Sequence, residues 1–176
     1  MGAVSSVVVV ITLCCTQKVR DRLRLPAELP GPPPPTSALG DWYVNLIQIG
    51  RQQIVLATSE RSLLTVLFPA LGLRQTLIPN LQTGVRQLLF ALAVPESIAR
   101  RELDAMQAVS FARATNRRVL GSMNDFAFQL GAYMERTGGA LELALRLSDT
   151  PMSAIGSKNN LGYPREVACQ LLAALQ

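Results

Sequence analysis

The run from Val4 to Cys15 places the tightest limit on how this chain can fold. From Val7 through Thr12 every side chain is β-branched, and Leu13-Cys14-Cys15 continues the apolar stretch. Branching at Cβ disfavours helix and suits a pleated surface, and an unbroken apolar run needs cover on both faces, so a buried central strand is predicted. A membrane span needs about 20 apolar residues, more than this run supplies. No basic residue precedes it and no small-residue cleavage site follows. Ile11-Thr12-Leu13 also lacks the small residue expected before a lipid-modified cysteine. No membrane association is expected.

At 176 residues, 49% apolar and 16% charged, the chain is expected to form one domain over 1–176 with a sizeable core. Cys14 and Cys15 would point to opposite faces of a strand and Cys169 falls in a helical pattern, a spacing that suggests neither a disulfide framework nor a zinc site. A reducing cytoplasm is the expected setting. There is no histidine. That removes Ser-His and Cys-His nucleophile activation, imidazole proton shuttling and almost every zinc or iron site, so neither metal nor cofactor is expected. The net charge is +5, with fifteen arginines to two lysines. Beside abundant Ala, Leu and Pro, that excess reads as codon usage; the competing reading is an anion-binding surface, because guanidinium grips phosphate and carboxylate in bidentate fashion.

Lys18 to Leu25 reads as a short helix with Val19 and Leu23 inward. Pro26 to Gly40, with Pro32 to Pro35 consecutive, reads as a surface loop of extended path outside the core. Asp41 to Thr58 reads as a β-hairpin turning at Gly50-Arg51 in a type II′ turn, with Trp42 on the core face and Tyr43 and Asn45 on the other. Ser62 to Phe68 reads as a strand leading into a helix. Beyond it the period becomes helical at Leu77, Leu81, Val85, Leu88, Leu89 and Leu92, and Pro95 opens a helix carrying Ile98, Leu103 and Met106. Gln107 to Arg113 reads as one more strand, with Val109 and Phe111 inward. Met123, Phe126, Ala127, Leu130, Tyr133 and Met134 mark an amphipathic helix that Gly138-Gly139 ends. Helices at Leu141 to Leu145 and at Ala168 to Leu175 follow. The expected fold class is α+β: a small, mainly antiparallel sheet from the N-terminal half packed against C-terminal helices.

Several segments carry a resemblance: Leu39-Gly40-Asp41-Trp42-Tyr43-Val44-Asn45-Leu46, Gln53 to Leu56, Ser59 to Leu63, the strand ending Leu13 to Lys18, and above all Asn116 to Phe126. On these the chain resembles a family of small bacterial proteins of unknown function. The resemblance implies a bacterial, stand-alone domain and supplies no activity, catalytic residue or cofactor.

The candidate ligand-binding residues are Asn45, Arg113, Arg117, Arg118, Ser122, Asn124 and Asp125. In Gly121-Ser122-Met123-Asn124-Asp125, Ser122 suits a helix cap and Asp125 the reciprocal acid of a capping box. The same helix start beside Arg117 and Arg118 would offer free N–H groups to an anion. Arg113, Arg117 and Arg118 form a cationic segment, although aromatics for base stacking are scarce. Asn45 is a mid-strand amide that needs partners if buried. Glu96, Glu102 and Asp104 read as a solvated helix face. The leading reading is a binding module for a protein partner. The alternative is a histidine-independent enzyme or binder acting on nucleic acid or phosphate esters, with Arg117 or Arg118 stabilising charge and Asp125 or Glu102 as base.

Overall fold

The β-branched run becomes β1 (Val10–Cys15), an interior strand of a five-stranded sheet in a computed structural model that describes residues 10–133, 138–158 and 160–174. Val4 to Val9, Met134 and Leu175 lie outside the described residues. Ile11, Leu13 and Cys15 join one apolar core and Cys14 joins a second on the opposite face, which is why both faces had to be apolar. After α1 (Gln17–Leu23) and the proline-rich segment come β2 (Trp42–Ile49) and β3 (Gln52–Ser59), paired antiparallel from Trp42↔Ser59 to Ile49↔Gln52. Gly50 closes this hairpin at φ 57°, a value that L side chains resist. β4 (Thr65–Pro69) extends the antiparallel half of the sheet.

Two helices follow, α2 (Leu73–Ala91) and α3 (Glu96–Ala105), before β5 (Ala108–Arg113) returns to the sheet. The strand order is β4-β3-β2-β1-β5, with β1 parallel to both β2 and β5. The fold is α+β with a mixed sheet. α1, α2 and α3 bury Val19, Leu23, Leu77, Leu81, Leu88 and Ile98 against one face. α4 (Arg117–Tyr133) covers the other with Val119, Met123, Phe126 and Leu130. α5 (Ala140–Ser148) lies along β4 and contributes to both cores, Ala144 to one and Leu143 with Leu147 to the other. A hairpin of β6 (Met152–Ser157) and β7 (Asn160–Gly162) and the helix α6 (Pro164–Ala173) complete the described chain.

The strand expected over Gln107 to Arg113 forms as β5, so the sheet of the N-terminal half gains one strand from the second half of the chain. Helices sandwich the sheet because β1 and β2 carry apolar side chains on both faces. The β6–β7 hairpin was not read from the sequence. Its faces are poor in apolar alternation, and its signal is Gly156, where a Cβ would lie 2.1 Å from the Asn160 carbonyl oxygen.

The expectation that Pro26 to Gly40 lies outside the core is corrected at the end of the segment. Pro26, Pro30, Pro33 and Pro34 are exposed, whereas Ser37, Ala38, Leu39 and Gly40 are buried and Leu39 belongs to the core. Apolar periodicity is invisible in so short a segment, and the anchor that draws it inward comes from α3.

Candidate functional site

β1 and β5 end side by side, Cys15 level with Arg113, and the Ala114 N–H donates to the Cys15 carbonyl at 3.1 Å. From these neighbouring ends the chain leaves to opposite faces, β1 into α1 and β5 into α4. In sheets with helices on both faces, ligands commonly lie beyond strand ends at such a divergence. Arg113 ends β5, and Arg117 and Arg118 occupy the first turn of α4, all three exposed. Asn45 lies on β2 level with Thr16; its Oδ1 accepts from Thr16 Oγ1 and from Leu46 N, both at 2.9 Å. The amide thus has a partner within the fold.

α4 starts at Arg117, not at Ser122. Asn116 is its cap: Oδ1 accepts from the Arg118 N–H at 3.1 Å and the Val119 N–H at 3.4 Å, the two orphan donors that an N-cap side chain reaches. Ser122 is buried inside the helix and donates to the Arg118 carbonyl at 3.1 Å. The capping box of Ser122 with Asp125 therefore does not form. Asn124 and Asp125 are exposed in mid-helix, away from Arg117 and from the positive end of the dipole. The stripe Val119, Met123, Phe126, Leu130 carries the helix upstream to Asn116, a better cap than any residue after it.

Sequence reasoning missed a polar seam on the α4 face of the sheet. Asp41, almost wholly buried, accepts from the Thr12 N–H at 3.0 Å, and Ser110 Oγ donates to Thr12 Oγ1 at 3.1 Å. Tyr43 Oη accepts from the Asn116 N–H at 3.3 Å, while Asn116 Nδ2 donates to Glu60 Oε1 at 3.2 Å. Burial raises the Asp41 carboxyl, aided by nearby Glu60, and raises the Tyr43 phenol. Burial also pushes the Cys14 thiol up to about 12, with Asp41 adding to it, and the Cys15 thiol to about 12. Both thiols are protonated at neutral pH, so neither is a ready nucleophile.

Glu102 overturns the solvated-face reading. It is 2% exposed; Oε2 accepts from the Ala38 N–H at 3.1 Å and Oε1 from the Leu39 N–H at 3.2 Å. Burial raises its carboxyl, opposed by hydrogen bonds from Ser37, Leu39 and Ala38 and by the Arg61 charge. Both oxygens hold the end of the proline-rich segment in place, which leaves this carboxylate badly placed for the base role.

A cleft of about 840 Å³ lies between the end of α2 and α3. Phe90, Ala93, Val94, Ala99 and Leu103 give it apolar walls, and Arg86, Glu96, Arg100 and Asp104 stand among its charged lining residues. Phe90 is 85% exposed. The break between the helices is a Schellman turn: Val94 N–H bonds the Leu89 carbonyl and Ala93 N–H the Phe90 carbonyl, with Ala93 at φ 55° where glycine is usual.

A family described as a domain of unknown function, DUF6933, matches residues 12–167, from β1 into α6. The chain belongs to this family. The DUF6933 match takes in the whole sheet except the first residues of β1, together with the cleft and the polar seam. No curated protein matches, and no solved structure matches. Among the described residues no helix is long and apolar enough to cross a membrane, and no group of three or more acidic or thiol side chains is placed to hold a metal ion.

Proposed function

We propose that this chain is a protein-binding module whose α2–α3 cleft receives apolar side chains of a protein partner. The observation that carries the reading is Phe90, a large aromatic left 85% exposed beside an apolar cleft with a charged rim. That anatomy, an aromatic anchor with apolar walls and a polar border, is the one that protein interfaces use. The acids and thiols support the same reading, since Cys14, Cys15, Asp41 and Glu102 are buried and raised rather than poised for chemistry. Three unbridged cysteines support a cytoplasmic setting, and two cores built on one sheet support a single domain over 1–176. The bacterial setting rests on the resemblance alone.

A photo-crosslinking phenylalanine analogue in place of Phe90 tests it in the protein's native cells. A discrete protein adduct is expected there and not from the same analogue in place of Phe128, which is 84% exposed on α4. Equal adducts from both positions, or none from the cleft, would refute the reading.

Nucleic acid is the second reading, favoured by Arg113, Arg117 and Arg118 standing exposed around the strand ends, with a phosphate-ester enzyme its catalytic variant. Titration with labelled DNA and RNA across salt concentrations separates the two. Binding no tighter than the non-specific range, about 10⁻⁴ to 10⁻⁶ M at physiological salt, is expected.

A further inference from the structure

β5 is an outer strand with β1 on one side, and among the described residues no strand pairs with its other edge. The opposite edge of the sheet is blunted: β4 ends in Pro69 and lies beneath α2 and α5. Among the described residues β5 shows none of these protections. Ala108-Val109-Ser110-Phe111-Ala112-Arg113 contains no proline, its register with β1 runs without a bulge, and its one charge is at its end. Val109 and Phe111 pack against the core only in part, so apolar surface remains beside the unpaired edge. An edge of this kind is a template for another strand.

From this we infer that β5 pairs antiparallel with β5 of a second copy, joining two five-stranded sheets into one of ten strands. Charge selects the occupant. Asp104 is exposed at the amino end of β5, where α3 hands over to the strand, and Arg113 is exposed at the carboxyl end. A second copy running antiparallel brings each arginine to the other copy's aspartate end, twice over, as a twofold interface requires.

The side-chain pattern selects the register. Residues opposite each other in an antiparallel pair share a face, and a slip of one residue reverses every face. With the twofold axis at Ser110, Val109 of each copy faces Phe111 of the other, Ala108 faces Ala112, and Gln107 faces Arg113. This register makes two aromatic–β-branched pairs on the face where Val109 and Phe111 meet the core. A slip of two residues sets Phe111 opposite Gln107 or Val109 opposite Arg113 and loses them.

Sedimentation and cysteine trapping test the dimer on the full chain. In a Cys169→Ser background, which removes the exposed thiol, Ser110→Cys should form an intermolecular disulfide under mild oxidation. Residues at the axis have Cα atoms about 4.5–5.5 Å apart, within disulfide reach. Arg113→Cys should not, because six residues of strand separate it from its own copy by about 20 Å. Should Ser110→Cys fail to fold, charge reversal carries the test. Arg113→Glu should weaken the dimer of the otherwise native chain about tenfold, and Asp104→Arg combined with Arg113→Glu should restore it. A native chain that stays monomeric at about 100 µM overturns the inference. So does a dimer that Ser110→Cys does not trap ahead of Arg113→Cys and that Arg113→Glu leaves unchanged.

Discussion

Removing the Glu102 carboxylate should unfasten the end of the proline-rich segment from α3. Its two oxygens accept from the N–H groups of Ala38 and Leu39, residues 9% and 0% exposed, so removing the carboxylate leaves two donors in a buried segment without their partner. An orphaned buried N–H costs about 1–3 kcal/mol, which makes about 2–6 kcal/mol for two. Part of this is offset, because Glu102→Ala also removes a buried charge, the burial that raises this carboxyl in the folded state. A net loss of about 2–4 kcal/mol is expected, read as a lower urea midpoint at unchanged m. The pH dependence gives an independent check. A carboxyl raised on folding is protonated in both states below its ordinary value near 4.5, and the unfolded chain ionises first as pH rises. Its contribution to stability is therefore full in acid and is lost as pH climbs from 4.5 through the higher folded value. Glu102→Gln should flatten that part of the stability profile, leaving the similar but separate contribution of Asp41. Stability within about 0.5 kcal/mol of wild type for Glu102→Ala, or an unchanged slope for Glu102→Gln, would refute the reasoning.

Asn116→Ala should cost about 0.5–2 kcal/mol in thermal or urea unfolding through loss of the α4 cap, and more than Ser122→Ala, whose hydroxyl bonds a carbonyl within the helix. Ala93→Gly should raise stability by about 0.5–1 kcal/mol, because φ 55° strains an L side chain; a lower melting temperature would contradict this. Thiol titration at pH 7 should find Cys169 reactive in the native protein, with Cys14 and Cys15 reacting after denaturation, since burial pushes both to about 12.

What the residues determine locally is legible without coordinates. Val10 to Thr12 favour a strand through their branched Cβ atoms, Gly50 marks its turn, and the spacing of Leu77, Leu81, Val85 and Leu88 is helical. Trp42 was legible as core by the same logic of alternation. Partnership across the chain was not. Nothing near Glu102 reports that two N–H groups more than sixty residues earlier will bind it, so it reads as one more acid on a helix. Asp41 with Thr12 and Tyr43 with Asn116 are likewise pairs made by strand order, which put β1 between β2 and β5. The start of α4 was legible in principle, from Asn116 followed by the Val119 stripe, and was obscured by Ser122 and Asp125 imitating a cap. Periodicity and propensity act over a few residues and are written in the sequence, whereas burial of a polar group depends on which distant segment arrives to cover it. That arrival is settled when the sheet closes its order, and it decided both the exposed β5 edge and the cleft beside α3.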